Sequence, residues 1–235
     1  THALADLQHP HVVGALEVGE HATPSGKPRP YLAMELLTGP SLDSLLVRER
    51  LAPEVALSLS MQILAGLGHA HALGVVHRDV KPENIFVHRD ERGALVARIV
   101  DFGLVRFADA SLWGDQSALT QRGAMIGTPA YMSPEHAFGP EIDARSDVYS
   151  AGVVIFEMLT GTWPFVAEDV PDLLRAHALE PVPPLGDARP GLEARVELAD
   201  FLARALAKRP EDRFPDAQTM RAALAAVPTP AAWLA

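Results

Sequence analysis

His77-Arg78-Asp79-Val80-Lys81-Pro82-Glu83-Asn84, answered seventeen positions later by Asp101-Phe102-Gly103, is the stretch on which the reading of this sequence turns. It brings together the carboxylates of Asp79 and Asp101, the ammonium of Lys81 and the carboxamide of Asn84 within a short span. Phosphoryl transfer asks for that set: a carboxylate at the attacking hydroxyl, hard oxygen ligands for Mg²⁺, and positive charge facing the transferred group. Asp79 is the candidate base or orienter of a hydroxyl. Lys81, two residues on, can reach a γ-phosphate as a point charge. Asn84 and Asp101 offer the oxygens a Mg²⁺ ion takes. A second copy of the tripeptide, His88-Arg89-Asp90, shows how little the tripeptide means alone. Leu95 stands five residues past Asp90 where a metal-binding Asn belongs, and Glu91-Arg92-Gly93 reads as a hairpin turn between two strands.

Further on, Gly127-Thr128-Pro129-Ala130-Tyr131-Met132-Ser133-Pro134-Glu135 follows a polar, aperiodic run from Ala108 to Gly123. Together with residues 77–84 and 101–103, it resembles the activation segment and catalytic loop of bacterial Hanks-type Ser/Thr protein kinases. The resemblance implies an α+β, protein-kinase-like fold with a mostly helical C-lobe, and ATP and Mg²⁺ as cofactors. Lys81 after Asp79, and Thr128, resemble the Ser/Thr class and not the tyrosine class.

Other positions take expected roles from the same resemblance. Met34 falls at the gatekeeper position, the Glu35 carbonyl and Leu37 amide at the adenine edge, and Phe86 at the adenine platform. Ser41 and Asp43 fall where the family meets the ribose, although Ser41 is equally well explained as the cap of its helix. His77 resembles a spine residue beneath Phe102, and Asp147 the carboxylate that holds the catalytic-loop backbone. Arg213 resembles the buried partner of Glu135. Thr120 is the candidate phosphosite, with Arg78 as the cation that would receive its phosphate.

Composition narrows the classes. The 235 residues are 48% hydrophobic, enough for a full core in one domain or two unequal lobes. A net charge of −10, with Lys only at 27, 81 and 208, argues against nucleic-acid binding. The chain has no Cys, so thiolate metal sites and disulfides are excluded and a reducing cytoplasm is expected. No apolar run approaches a membrane span, so membrane contact is not expected within these residues; a cytoplasmic domain is expected, and an anchor outside these residues is compatible with it.

In chain order, Leu4 and Leu7 before His9-Pro10 predict the end of a helix, followed by a strand through about Val18. Tyr31–Leu37 predicts a second strand running into the hinge, and Pro53–Leu73 a long helix closed by Gly74. A helix from Asp143 to Leu159, then three more, complete the set; Trp163, Phe165 and Met220 are assigned to the core. His69 and His71 flank one Ala and read as structural, since a helix sends them to different faces. Residues 1–37 are expected to be a truncated, β-rich N-lobe, 38–227 the C-lobe and 228–235 the start of a linker. The resemblance puts a Gly-rich loop, a strand Lys and a helix Glu upstream of Thr1. Lys27, in a turn-rich loop, does not replace that Lys, so residues 1–235 alone are expected to transfer phosphate poorly. The alternatives are a pseudokinase serving as a regulatory binding module and a small-molecule phosphotransferase. The expected partners are a protein with a Ser or Thr acceptor and a second copy for activation-loop autophosphorylation.

Overall fold

In the computed structural model, residues 7–22, 28–102, 129–138, 142–193 and 195–228 are described. Strands β1 (Ala15–Ala22) and β2 (Pro28–Met34) pair antiparallel from Ala15↔Met34 to Ala22↔Pro28, with an irregularity between Ala15 and Glu17. The first strand starts later than the alternation predicts. Val12 and Val13 instead join the chain to the helical body, where the Val13 N–H donates to the Ile99 carbonyl and the Ile99 N–H to that of His11. The second strand stops at Met34 and does not run on to Leu37. There the Glu35 carboxylate accepts from the Gly14 N–H at 2.8 Å and pairs with Arg98, which turns the chain out of the ribbon.

Helix α1 (Leu42–Arg48) starts under a Ser41 cap that accepts from the Ser44 N–H. Helix α2 (Pro53–Ala72) starts with Pro in its first turn, where the missing N–H costs nothing, and ends before Gly74 at φ 72°. Leu59, Ile63, Leu64 and Leu67 on α2 are fully buried, each worth about 1.5–3 kcal/mol of transfer free energy. A 3₁₀ turn at Pro82–Asn84 leads into hairpin β3 (Ile85–Arg89) and β4 (Leu95–Ile99). Its turn is the predicted one. Asp90 Oδ1 accepts from the Arg92 and Ala94 amides, and Gly93 sits at φ 80°.

Past a second 3₁₀ turn at Pro129–Tyr131 come α3 (Pro134–Phe138) and α4 (Ala144–Thr160). Asp143 caps α4 by accepting from the Arg145 N–H, and Gly161 ends it at φ 79°. Helix α4 is apolar on nearly all sides because it is the centre of the body, packing on α2 and its other neighbours. Then follow α5 (Val170–Leu179), α6 (Leu185–Ala188), α7 (Val196–Ala205) and α8 (Ala217–Ala225). The four-residue α6, in the proline-rich stretch between Pro181 and Pro190, is a fourth helix where the sequence predicts three after α4. Phe165 and Met220 are core residues, but Trp163 is not: it is 42% exposed. Its indole N–H donates to the Tyr131 hydroxyl at 3.0 Å, a polar handle that keeps the ring at the surface. Among the described residues no helix is long and apolar enough to cross a membrane.

Candidate active site

The loop between α2 and the Pro82–Asn84 turn is held by a carboxylate beneath it. Asp147, on the first turn of α4 and 1% exposed, accepts from the His77 N–H at 2.7 Å, the Arg78 N–H at 2.8 Å and His71 Nε2 at 2.9 Å. His71 Nδ1 accepts from the Ala217 N–H, so its proton lies on Nε2 and points at Asp147. Burial pushes the Asp147 carboxyl up, but the hydrogen bonds from the His71 ring and the His77 N–H outweigh it and hold the group below its usual range. Arg78 needs such an anchor. Its φ of 71° is a left-handed conformation costing on the order of 1–3 kcal/mol for a side-chain-bearing residue.

His77 is fully buried. Its Nε2 faces the Val100 carbonyl at 2.8 Å and must donate to it; Nδ1 then accepts from the Asp79 N–H at 3.2 Å. The ring meets Phe102 edge-on, with centroids 4.6 Å apart. One histidine therefore ties Asp79 to the residue preceding Asp101.

Above it, Lys81 Nζ lies 2.7 Å from Asp79 Oδ2. Asn84 Nδ2 donates to the Asp79 carbonyl at 2.9 Å and to its Oδ2 at 3.0 Å. These bonds fix the orientation of the carboxamide and leave Oδ1 with no hydrogen-bond partner among the described residues. The Val100 N–H donates to the Asn84 carbonyl at 2.9 Å, which delivers Asp101 beside Asn84. Asp101 is exposed, at a left-handed φ of 63°. The two side chains thus supply one amide oxygen and one carboxylate, hard ligands of the kind Mg²⁺ takes when phosphates and water complete its octahedron. The donor set fits that ion.

The hinge positions lie at one side of this loop. Met34 lines a recess with Leu32, Val12, Asp101 and Phe102. Among the described residues the Glu35 carbonyl and the Leu37 amide have no hydrogen-bond partner, and Leu36 between them is 90% exposed. The Pro40 carbonyl accepts from the Val87 N–H, and Ser41 bridges to Phe86, so the hinge exit is stitched to β3. The Ser41 hydroxyl is engaged at its helix cap, with Ser44 Oγ 2.9 Å away.

On the far side, Arg213 forms a two-pronged pair with Glu135 at 2.7 and 2.8 Å, and also donates to the carbonyls of Ala207, Arg145 and Lys208. Burial works against the Glu135 carboxylate, but Arg213 and the Ser146 hydroxyl hold it at about 2. Thr120, Thr128 and Gly103 lie outside the described residues.

Sequence reasoning missed a polar cluster beside the loop. The Tyr131 hydroxyl donates to Glu157 Oε2 at 2.6 Å and accepts from Trp163. Burial, helped by the Asp43 and Glu83 carboxylates, pushes Glu157 up against the pull of those hydrogen bonds. The available signal was a lone acid inside the apolar run of α4. Arg98, paired with Glu35 and donating to the Val12 carbonyl, was missed too, because an alternating strand gives its outward cation no partner.

This geometry has known counterparts. The family model described as the protein kinase domain matches residues 1–224. The Ser/Thr-protein kinase Pkn1 of Myxococcus xanthus is 40% identical over 218 residues, covering 93% of this chain and 30% of that protein. The Ser/Thr-protein kinase PknB of Mycolicibacterium smegmatis is 38% identical over 222 residues, 94% of this chain and 34% of that one. The chain thus spans about a third of the length of these curated relatives. The crystal structure of Rad53 1–466 in complex with AMP-PNP superposes with a TM-score of 0.71 at 26% identity, over 94% of this chain and 52% of that one. With its α+β, kinase-like fold and its matched residues, the chain belongs to the protein kinase domain family.

Proposed function

We propose that the protein carrying this chain is an ATP- and Mg²⁺-dependent protein Ser/Thr kinase. The observation that carries the reading is the hydrogen-bonded knot of Asp79, Lys81 and Asn84 beside Asp101. Asp79 orients the acceptor hydroxyl and takes its proton as the oxygen attacks the γ-phosphorus and the bond to the ADP oxygen breaks. Lys81 swings from Asp79 to the γ-phosphoryl oxygens once nucleotide competes for it. Asn84 and Asp101 hold Mg²⁺, which would neutralise phosphate charge there. Met34, the Glu35 carbonyl, the Leu37 amide and Phe86 receive the adenine, with Ser41 beside the ribose.

The same reading gives residues 38–227 as the lobe that carries the chemistry. Thr128 belongs to the docking element for a Ser or Thr acceptor. Phosphate on Thr120, placed by a second copy of the protein, pairs with Arg78, and the domain works in the cytoplasm. The curated relatives are named Ser/Thr-protein kinases, and the superposed structure contains AMP-PNP, which supports the nucleotide part.

The test is transfer from γ-labelled ATP to a generic protein by the full-length protein. Label is expected on Ser or Thr. Chelating Mg²⁺ or making Asp101→Asn should lower the rate by about 10²-fold or more. Label on another residue type, or a rate indifferent to both changes, contradicts the reading.

A further inference from the structure

Three imidazoles meet where the chain before β1 crosses α2. His9 stacks on His69 with ring centroids 5.3 Å apart and planes 25° from parallel, and His11 tilts against His9 at 5.4 Å. The His11 N–H donates to His9 Nδ1 at 3.1 Å, and His11 Nδ1 faces the Ala97 carbonyl at 3.0 Å. His69 Nε2 is buried with no hydrogen-bond partner among the described residues. The other charged groups that act on His9 and His11 among the described residues are cations: Arg221 of α8 on both, and Arg98 of β4 on His11.

The same segment joins the β1–β2 ribbon to the helical body. It lies so close to α2 that a Cβ at Gly66 would sit 2.9 Å from the His11 carbonyl oxygen and 3.3 Å from Val12 Cγ2. The next residues pair with Ile99 through the Val13 N–H and the His11 carbonyl. One turn along α2 from Gly66, His69 meets His9.

We propose that the His9–His69 stack, with His11 beside it, is a pH-sensitive fastener: uncharged rings hold the ribbon against the helical body, and proton uptake loosens it. A proton on His9 places a positive charge against the His69 face, beside His11 and Arg221. A proton on His11 places one beside Arg221 and Arg98, whose own charge is shared with Glu35; among the described residues no carboxylate pairs with these rings. Burial first, then His11, His69 and Arg221, hold His9 below its usual 6.5; burial, with Arg98 and Arg221, holds His11 below it against the pull of the Ala97 carbonyl. Depressed values mean that docking is complete above 6.5 and weakens as pH falls through the lowered values. Met34 rides on the ribbon and shares its recess with Asp101, so loosening reaches the proposed nucleotide site.

Hydrogen exchange of the full-length protein between pH 7.5 and 5.0, corrected for intrinsic rate and read by mass spectrometry, tests this without any phosphoryl transfer. Its failure is therefore separate from failure of the kinase reading. Protection of the peptide spanning residues 7–14 is expected to fall about tenfold for each unit by which docking depresses a ring's pKa, while peptides from α4 stay flat. The double variant His9→Phe/His69→Phe keeps stacked rings and should lose more than half of that slope. If the double variant does not fold, exchange at the imidazole C2 position of the unaltered protein decides. His9 titrating below 6.5 supports the fastener; His9 at or above 6.5, flat protection of residues 7–14, or an unchanged slope in the variant overturns it.

Discussion

Asp147 and Arg213 show how single side chains hold the backbone at His77–Arg78 and the first turn of α3 in place. Three donors converge on Asp147, so Asp147→Asn turns one acceptor into a donor facing a donor. Losing a hydrogen bond to a buried charge costs about 1.5–3 kcal/mol, and the strained Arg78 backbone loses its anchor with it. The expected outcome is a lower denaturation midpoint together with slower transfer; an unchanged midpoint would show that Asp147 is not the support. The Arg213–Glu135 pair separates two effects. Arg213→Met alone leaves a buried carboxylate and is expected to cost about 3–5 kcal/mol, whereas Arg213→Met with Glu135→Leu should recover much of it. Equal losses in the single and double variants would contradict that. Both contacts were expected only from the family resemblance. Glu157 and Arg98 were not, because their partners Tyr131 and Glu35 are brought to them only by the fold.

At the scale of elements, two contacts decide positions that periodicity leaves open. A Cβ on Gly39 would lie 2.0 Å from the Val87 carbonyl oxygen, so the hinge exit touches β3 backbone to backbone. Gly39→Ala is expected to destabilise by about 1–3 kcal/mol, as overpacking does, and to weaken nucleotide binding by shifting the Glu35–Leu37 edge. Calorimetric nucleotide titration of that variant with an unchanged affinity would sink the second half. Helix α5 is fixed by His177, 1% exposed, with Nδ1 2.9 Å from the Tyr149 hydroxyl and its carbonyl accepting from Lys208 at 2.8 Å. Burial, reinforced by the Lys208 charge, lowers His177 from 6.5 to about 4. That contribution to stability is complete above 6.5 and is lost as pH falls toward about 4; Glu135 adds a second loss from 4.5 toward about 2. Midpoints measured along pH should therefore decline in the first window, and His177→Gln should flatten that decline. Long helices with Pro and Gly at their ends were readable in advance. The end of β2 at Met34 was not, since side-chain pairing between Glu35 and Arg98 turns the chain there.

For the whole molecule, the kinase-like architecture was legible because residues 77–84, 101–103 and 127–135 together resemble a known family; their spacing alone gives only a turn, a hairpin and two carboxylates. Sequence order alone could not show that His77 links Asp79 to the Val100 carbonyl, or that Asp147 lies beneath Arg78. Those contacts join α4 to the loop and make the site a property of the helical body. The central claim is that this body carries the phosphoryl-transfer residues of a kinase, with Asp79 at the acceptor hydroxyl. Autophosphorylation of the full-length protein, compared with its Asp79→Asn variant and mapped by mass spectrometry, tests it most directly. A fall of about 10²–10⁴-fold with a retained fold is the expected result; a variant that phosphorylates itself at the rate of the unaltered protein would contradict the account.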